Sequence, residues 1–267
     1  MAKRIISALV MGLILATVIM YSPEMIFNGL VLLVIMGGLY EFSKLALPKD
    51  QIYRETTWIF GIAVASTLIF LRTTNVFLGV VVTGMFIVSL LYMKHATTLE
   101  GVTSRIGLTL FGALYLGATL PFWALLRELP HGKALIFMGV AATAMTDTFA
   151  MFGGKLLGRH KFAALTSPNK TMEGFFAGFV GSVLTAYVVR TIGFKDLPIL
   201  HVIILGVAIG FIGPFGDLIE SLIKRDFHVK DSGNIIPGHG GFLDRLDAMI
   251  FVAPFMYLYA KTFLQIF

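Results

Sequence analysis

Nine long apolar runs restrict the fold of this chain more than any other feature of its sequence. They lie approximately at 4–21, 25–46, 57–71, 75–93, 107–126, 134–152, 172–190, 198–216 and 247–266. Most of them approach the roughly 20 residues that an α-helix needs to cross a bilayer. Because unpaired backbone groups are costly in lipid, such segments cross it as helices. The runs therefore predict an all-α, polytopic integral membrane protein with about nine transmembrane helices.

The composition agrees with a membrane protein and narrows its chemistry. The chain is 57% hydrophobic and 13% charged, about half the charged fraction of an average soluble domain. It contains no cysteine, which excludes disulfide and thiol chemistry. Its net charge of +6 favours anionic headgroups or phosphate substrates. The sequence has no nucleic-acid-binding motif, so we expect the lipid bilayer and not nucleic acid as a partner.

The distribution of Lys and Arg predicts the orientation of the helices. With the N-terminus inside, 15 of the 21 Lys and Arg residues fall in inside segments. The other six are Arg72, Arg127, Lys133, Arg190, Lys195 and Lys261. The first run follows Lys3 and Arg4 like a signal peptide, but it is long and lacks a small-residue cleavage site, so we interpret it as a retained helix. We expect a multi-pass protein of the cytoplasmic (inner) membrane with its C-terminus outside.

Two long polar loops, at 153–171 and 217–246, fall on the expected cytoplasmic side of the membrane. Long loops in compact proteins are often functional. We therefore expect a single membrane domain over 1–267, with an N-terminal bundle at 1–130 and the chemistry in a C-terminal half at 134–267. The sequence contains no internal repeat and no low-complexity tract.

Three carboxylates near the expected membrane edge predict a metal site. Asp217 directly follows an apolar run, and Asp244 and Asp247 stand at the start of the last one. On a helix, the Cβ atoms of Asp244 and Asp247 would lie roughly 5–6 Å apart, and like charges that close repel unless a cation lies between them. Carboxylates suit Mg²⁺, which also binds substrate phosphates. We expect one or two Mg²⁺ ions; the alternative is that Arg245 and nearby lysines neutralise the pair.

The polar residues that follow the eighth apolar run lie at helical spacing. In the segment 213–226 this spacing places Asp217, Glu220, Ser221 and Lys224 on one face. Carboxylates near membrane depth are functional by default. The alternative is a solvated face with a Glu220–Lys224 pair.

A glycine-rich loop follows at 228–241. Glycines let a backbone approach a ligand closely, and successive N–H groups can hold phosphate oxygens. Lys230, His239 and Arg245 could neutralise a polyanion there. The loop lacks the P-loop spacing, and the alternative is a plain surface loop.

The other long loop is basic and ends in a predicted helix start. Ser167 and Thr171 precede the seventh apolar run, with Thr171 as the expected cap and Glu173 in the first turn. A helix N-terminus beside Lys170 is a natural phosphate site. The alternative is a basic loop whose only role is to fix the topology.

Two further carboxylates lie in apolar surroundings. Asp147 falls inside a predicted span and should face the bundle interior or a polar cavity instead of lipid. Glu41, near the end of the second run, we interpret as a member of a structural pair and not as a catalyst.

Residues 221–247, SLIKRDFHVKDSGNIIPGHGGFLDRLD, resemble the signature of CDP-diacylglycerol synthases, also called phosphatidate cytidylyltransferases, and fill every position of it. The segments DTFAMFGGKLLGRHK and SPNKTMEG are similar to the second conserved region of that family. The resemblance is strong over most of the second half; the first half matches only as a multispan region. Two departures are Met151, where the family often has Tyr, and Asn169, where it often has a basic residue.

The resemblance implies an enzyme that joins CTP and phosphatidic acid, uses Mg²⁺, and yields CDP-diacylglycerol and pyrophosphate in phospholipid synthesis. The expected catalytic residues are Asp217, Asp244, Lys224, Arg225, Lys230, Asp231, His239 and Arg245. Substrate binding is expected from Lys155, Ser167, Lys170 and Thr171. The expected metal ligands are Asp217, Asp244 and Asp247.

Two other functions are alternatives. A CDP-alcohol phosphotransferase would carry a DG-x-x-AR run, which this sequence lacks. An ion-coupled transporter could use Asp147 and Asp217, but transporters often have repeated halves, and the halves here are dissimilar. A homodimer is a further expectation, because the N-terminal half has no other assigned role.

Overall fold

The computed structural model describes residues 2–233 and 240–264, and the backbone alone for 2–11. Its helices are α1 Ala2–Tyr21, α2 Glu24–Ala46, α3 Gln51–Ser66, α4 Thr74–His95, α5 Val102–Gly117, α6 Phe122–Glu128, α7 Gly132–Leu157, α8 Met172–Gly193, α9 Ile199–Asp226, α10 Leu243–Leu246 and α11 Met249–Phe263. A π-helical turn, Thr67–Leu71, follows α3. A short hairpin, β1 Lys161–Ala163 and β2 Ser167–Thr171, joins α7 to α8.

The expected polytopic all-α fold is confirmed. Within the described part of the chain, eight helical stretches are long and apolar enough to cross a membrane, and they correspond to the second to ninth predicted runs. The first run forms α1, of which Gly12–Tyr21 is a shorter apolar helix by its described residues. The eighth span continues as helix through Pro214 to Asp226, so the polar face after the apolar run is helical as predicted.

The helices fall into two compact units, which interleave along the chain. The first is built from the chain up to Phe27, from Leu126–Lys230, and from Asp247 onward. The second is built from Asn28–Leu125 and the described part of Asp231–Leu246. The division of roles between an N-terminal bundle and a C-terminal catalytic half stays a prediction.

In the first unit, α7, α8 and α9 pack side by side and α11 packs on α9. Small residues permit this close approach, as is common between membrane helices. A Cβ at Gly174 of α8 would lie 2.6 Å from the carbonyl oxygen of Ala150 in α7, and one at Gly206 of α9 would lie 2.7 Å from Cα of Val183 in α8. The tight packing fixes the loop ends that carry the polar residues.

In the second unit, α3 packs against α4 and α5. The rings of Tyr53 in α3 and Tyr92 in α4 stack with centroids 3.7 Å apart, and the Tyr92 hydroxyl lies 2.9 Å from the hydroxyl of Thr109 in α5. The indole N–H of Trp58 donates to the carbonyl of Met36, 3.0 Å away, which ties α3 to α2. The Trp58 hydrogen bond holds α2, whose last turns carry Glu41, against α3.

Candidate functional site

The polar end of α9 approaches the start of the last helical segment through a glycine. A Cβ at Gly216 would lie 2.6 Å from the carbonyl oxygen of Asp247 and 3.1 Å from Cα of Ala248. A larger side chain would therefore push the two segments apart. The residue after this glycine is Asp217, so the close contact brings two carboxylate-bearing positions of the first unit together.

Asp217 pairs with a lysine from the other polar loop. Lys170 Nζ lies 2.6 Å from Asp217 Oδ2, and it also donates to the carbonyl of Pro214 at 3.3 Å. The hydroxyl of Ser221, one turn along α9, donates to Asp217 Oδ1 at 3.2 Å. Both charged side chains keep about a quarter of their surface exposed, 26% and 28%. The structure thus joins residues 153–171 to α9 through a charge pair that a ligand can still reach.

Asp247 adds a second negative charge beside this pair. It is half-buried, and its Oδ1 accepts a hydrogen bond from the backbone N–H of Ala248 at 2.7 Å. It interacts electrostatically with Asp217 and with Asp147, and with the opposite sign with Lys224. Asp147 is exposed on α7. We call Lys170, Asp217 and Asp247 the acidic cluster.

The face of α9 that carries Glu220 and Lys224 is buried. The Glu220 carboxylate is 0% exposed, and Lys224 Nζ lies 3.1 Å from its Oε1 with 11% of the lysine side chain exposed. The alternative of a solvated face is therefore wrong, although the pair itself forms. Spacing alone cannot distinguish the two cases, because an i,i+4 Glu–Lys pair is also the usual pattern of an exposed helix.

The remaining cations of α9 and its continuation are exposed. Arg225 Nη1 donates to the carbonyl of Val229 at 3.3 Å, which ties the end of the helix to the segment that follows. Lys230 is exposed in that segment. Both side chains are accessible to an anionic ligand, and neither belongs to the acidic cluster.

The loop before α8 folds as a hairpin, which the apolar pattern did not predict. Lys161 pairs with Thr171 and Ala163 with Ser167, in antiparallel register. Thr171 caps α8 as predicted, since its buried hydroxyl accepts from the backbone N–H of Gly174 at 3.2 Å. Ser167 is half-buried at the other end of the strand. The hairpin fixes the position from which Lys170 reaches Asp217.

Glu173 connects the hairpin to the start of α8. Its Oε2 accepts from the backbone N–H groups of Arg159 and His160, at 3.0 and 3.3 Å, and its Oε1 lies 2.7 Å from His160 Nδ1. Lys155 is exposed near the end of α7. This acid therefore acts within the loop, and the sequence indicated only its place in the first turn.

Asp244 belongs to the second unit, where backbone donors hold its carboxylate. The N–H of Ser232 donates to both oxygens, at 3.2 and 3.0 Å, and the N–H of Gly241 donates to Oδ2 at 2.9 Å. Gly240 has φ +81°, a conformation that favours glycine. Asp231 and Arg245 are exposed. His239, an expected catalytic residue, lies outside the described residues.

The chemistry of the acidic cluster fits a hard divalent cation. Among the residues that the structure describes, no three His, Asp or Glu side chains are grouped closely enough to hold a metal ion on their own. Mg²⁺ does not need such a cage, because it usually keeps several waters and binds through one or two carboxylates and substrate phosphates. The interacting carboxylates of Asp217 and Asp247 meet that requirement.

Comparison with known proteins places the chain in a family. The model of the cytidylyltransferase family matches residues 2–263. A phosphatidate cytidylyltransferase of Brucella abortus is 32% identical over 271 residues, covering 98% of this chain and 94% of that protein.

Two other relatives match over shorter segments. The phosphatidate cytidylyltransferase of Bacillus subtilis is 38% identical over 160 residues, which is 60% of each chain. That of Staphylococcus epidermidis is 41% identical over 126 residues, covering 47% of this chain and 48% of that protein. This chain thus spans 60% and 48% of the lengths of these two relatives. With the family model matching almost from end to end, the chain belongs to the cytidylyltransferase family.

Proposed function

We propose that this protein is a phosphatidate cytidylyltransferase, which transfers CMP from CTP to phosphatidic acid and releases pyrophosphate. The observation that carries the proposal is the acidic cluster beside a membrane-spanning helix, in a chain similar over 98% of its length to a protein of that name. A lipid substrate requires an enzyme in the membrane. A nucleoside triphosphate requires accessible cations and carboxylates of the kind found at the end of α9.

In the proposed reaction, a phosphate oxygen of phosphatidic acid attacks the α-phosphorus of CTP. The new bond joins that oxygen to the α-phosphorus, and the bond from the α-phosphorus to the bridging oxygen breaks. The electron pair leaves with pyrophosphate. The attacking phosphate is already an anion near neutral pH, so no protein base is required. Catalysis of such transfers rests mainly on positioning and charge stabilisation.

The chain's own cations supply part of that stabilisation. Lys170 pairs with Asp217 and donates to the carbonyl of Pro214. Arg225, near the end of α9, and Lys230, shortly after it, are exposed. We propose that all three contact substrate phosphates. Buried Lys224 would offset the negative charges of Glu220 and Asp247.

We propose Mg²⁺ as the cofactor, with Asp217 and Asp247 as protein ligands. When bound, such an ion would neutralise negative charge on the reacting phosphates. Asp244 stays a predicted ligand from the sequence. A homodimer also stays a prediction.

The function is tested with purified protein in phosphatidate-containing liposomes. We expect pyrophosphate release that requires CTP, phosphatidic acid and Mg²⁺ together, with radiolabel from α-labelled CTP appearing in the lipid fraction. Replacing phosphatidic acid by diacylglycerol, which lacks the attacking phosphate, should abolish both signals. Release that continues without any lipid phosphate would contradict the proposal.

For the orientation, we propose that the hairpin and the end of α9 face the cytoplasm. The support is the distribution of Lys and Arg. Since the chain lacks cysteine, single cysteines report cleanly: Leu165→Cys at the 89% exposed hairpin tip, and Lys195→Cys between α8 and α9. A membrane-impermeant maleimide should label intact cells at position 195 only, and position 165 only after permeabilisation. The reverse pattern would refute the proposed orientation.

A further inference from the structure

Glu41, in the last turns of α2, is a buried carboxylate with long-range partners. Glu41 is only 2% exposed. Its Oε2 accepts one hydrogen bond from the hydroxyl of Ser232 and one from the backbone N–H of Leu243, each 2.9 Å long. These partners lie about two hundred positions along the chain, in the same compact unit. Glu41 therefore joins α2 to Ser232 and to Leu243.

Ser232 links Glu41 to Asp244. The hydroxyl of Ser232 donates to Glu41, and its backbone N–H donates to both oxygens of Asp244. Leu243, the second partner of Glu41, is the neighbour of Asp244 in α10. Two separate connections thus run from the Glu41 carboxylate to Asp244, one through Ser232 and one along the backbone.

Gly233 and Gly241 bring the backbone close to the Glu41 carboxylate. A Cβ at Gly233 would lie 2.6 Å from Glu41 Oε1, and a Cβ at Gly241 would overlap both Glu41 Oε2 and the hydroxyl of Ser232. Only glycine lets the backbone come this close. The backbone N–H of Gly241 donates to Asp244 at 2.9 Å. Gly241 therefore both approaches Glu41 closely and helps to orient Asp244.

A buried carboxylate is energetically unfavourable at a position that serves only packing, and Glu41 is such a carboxylate. Within the described residues, Glu41 Oε1 has no hydrogen-bond partner. A buried polar group without a partner loses its hydration and gains no hydrogen bond in return. An apolar side chain at the same helix position would avoid that cost. Retaining a carboxylate there is explained if the two hydrogen bonds from Oε2 are needed to place the loop.

We infer that Glu41 is a positioning residue, which holds Ser232 and Leu243 so that the Asp244 carboxylate keeps its orientation for catalysis. The inference rests on the proposed function, because it concerns the orientation of a predicted metal ligand. It goes beyond the interpretation of Glu41 as a member of a structural pair, since its partners are a hydroxyl and a backbone N–H of the signature segment.

The test combines kinetics with amide hydrogen exchange on the full-length protein. For Glu41→Ala we expect kcat to fall about tenfold in the correctly folded fraction, and exchange at the N–H groups of Ser232, Gly241 and Leu243 to become about tenfold faster. Glu41→Gln keeps an oxygen of the same reach and should stay within threefold of wild type. The double variant Glu41→Ala with Ser232→Ala should be no slower than Glu41→Ala alone, because both remove the same connection.

Glu55→Ala is the matched control, since Glu55 is an exposed glutamate of the same unit that bonds only to Gln51 among the contacts described, at 2.8 Å. It should leave kcat and loop exchange unchanged. If Glu41→Ala does not fold, Glu41→Asp, one methylene shorter, provides the same comparison with an intermediate expected loss. Wild-type kcat, or unchanged exchange at Ser232, Gly241 and Leu243, in folded Glu41→Ala or Glu41→Asp would overturn the inference. An inactive wild type would instead overturn the proposed function, while the exchange measurement would still report whether Glu41 holds the loop.

Discussion

Replacing Asp217 by asparagine is expected to lower turnover about a thousandfold while the protein still folds. Asparagine can still accept the hydrogen bond from Ser221, but it loses the negative charge that would hold Mg²⁺. A thousandfold loss corresponds to about 4 kcal/mol of transition-state stabilisation. Pyrophosphate release measured across a Mg²⁺ titration checks the expectation. Asp196→Asn, an exposed aspartate between α8 and α9, is the control and should behave as wild type.

The variant Asp247→Asn distinguishes, in the same assay, carboxylates that bind a metal ion from carboxylates that Lys170 simply neutralises. If Lys170 only neutralises two repelling carboxylates, Asp247→Asn should relieve that repulsion and leave turnover intact. If the carboxylates hold Mg²⁺, Asp247→Asn should lose activity as Asp217→Asn does, and added Mg²⁺ should restore part of it. Near-native activity of both variants at all Mg²⁺ concentrations would exclude the proposed ligands.

The membrane fold could be predicted because its signal is local. A span requires about 20 consecutive apolar residues, and each run contains that information within itself. The boundaries were less accurate where polar residues flank a helix. The third span begins at Gln51 instead of residue 57, since its first turns carry polar residues, Gln51 and Glu55 among them, that an apolar run does not include.

The candidate site could be predicted only in part, since its contacts are not local. The family resemblance implied site residues in both long loops, Lys170 and Asp217 among them, and the structure places Lys170 beside Asp217. Nothing in the sequence pairs Glu41 with Ser232, because their contact depends on how α2 packs in the second unit. The burial of Glu220 also depends on packing and not on its spacing from Lys224.

Electrostatics explains why these positions combine acids and bases so closely. Asp247 interacts with Asp217 and with Asp147, Lys170 pairs with Asp217, and Lys224 offsets Asp247. Without a ligand, the lysines limit the repulsion between the carboxylates. With a nucleotide and a cation bound, half-buried Lys170 would be available to phosphate oxygens, while buried Lys224 would stay paired with Glu220. The cluster can thus exist in both states without leaving a buried charge unpaired, which would be costly.

Replacing Lys170 by alanine is expected to lower turnover about a hundredfold, with a higher KM for CTP. The side chain would supply a cation to substrate phosphates, and its loss also leaves Asp217 without the partner that lies 2.6 Å away. A hundredfold loss corresponds to about 2.7 kcal/mol. Steady-state rates against both substrates, on protein confirmed to be inserted, provide the measurement. Lys161→Ala, an exposed lysine on the same hairpin, is the matched control and should leave the rates unchanged.

A double variant that removes both charges distinguishes a Lys170 that contacts substrate from a Lys170 that only neutralises Asp217. In Lys170→Met combined with Asp217→Asn, both charges of the pair are removed, so Asp217 no longer needs a partner, while Asp247 keeps its charge. If Lys170 served only to neutralise Asp217, the double variant would be faster than Lys170→Ala, because the repulsion that the lysine relieves would be gone. We expect the opposite: the double variant should be at least as slow as Asp217→Asn alone, since the phosphate contacts and the metal ligand are lost together. A double variant that regains activity would assign Lys170 to the structure of the cluster and remove it from the reaction.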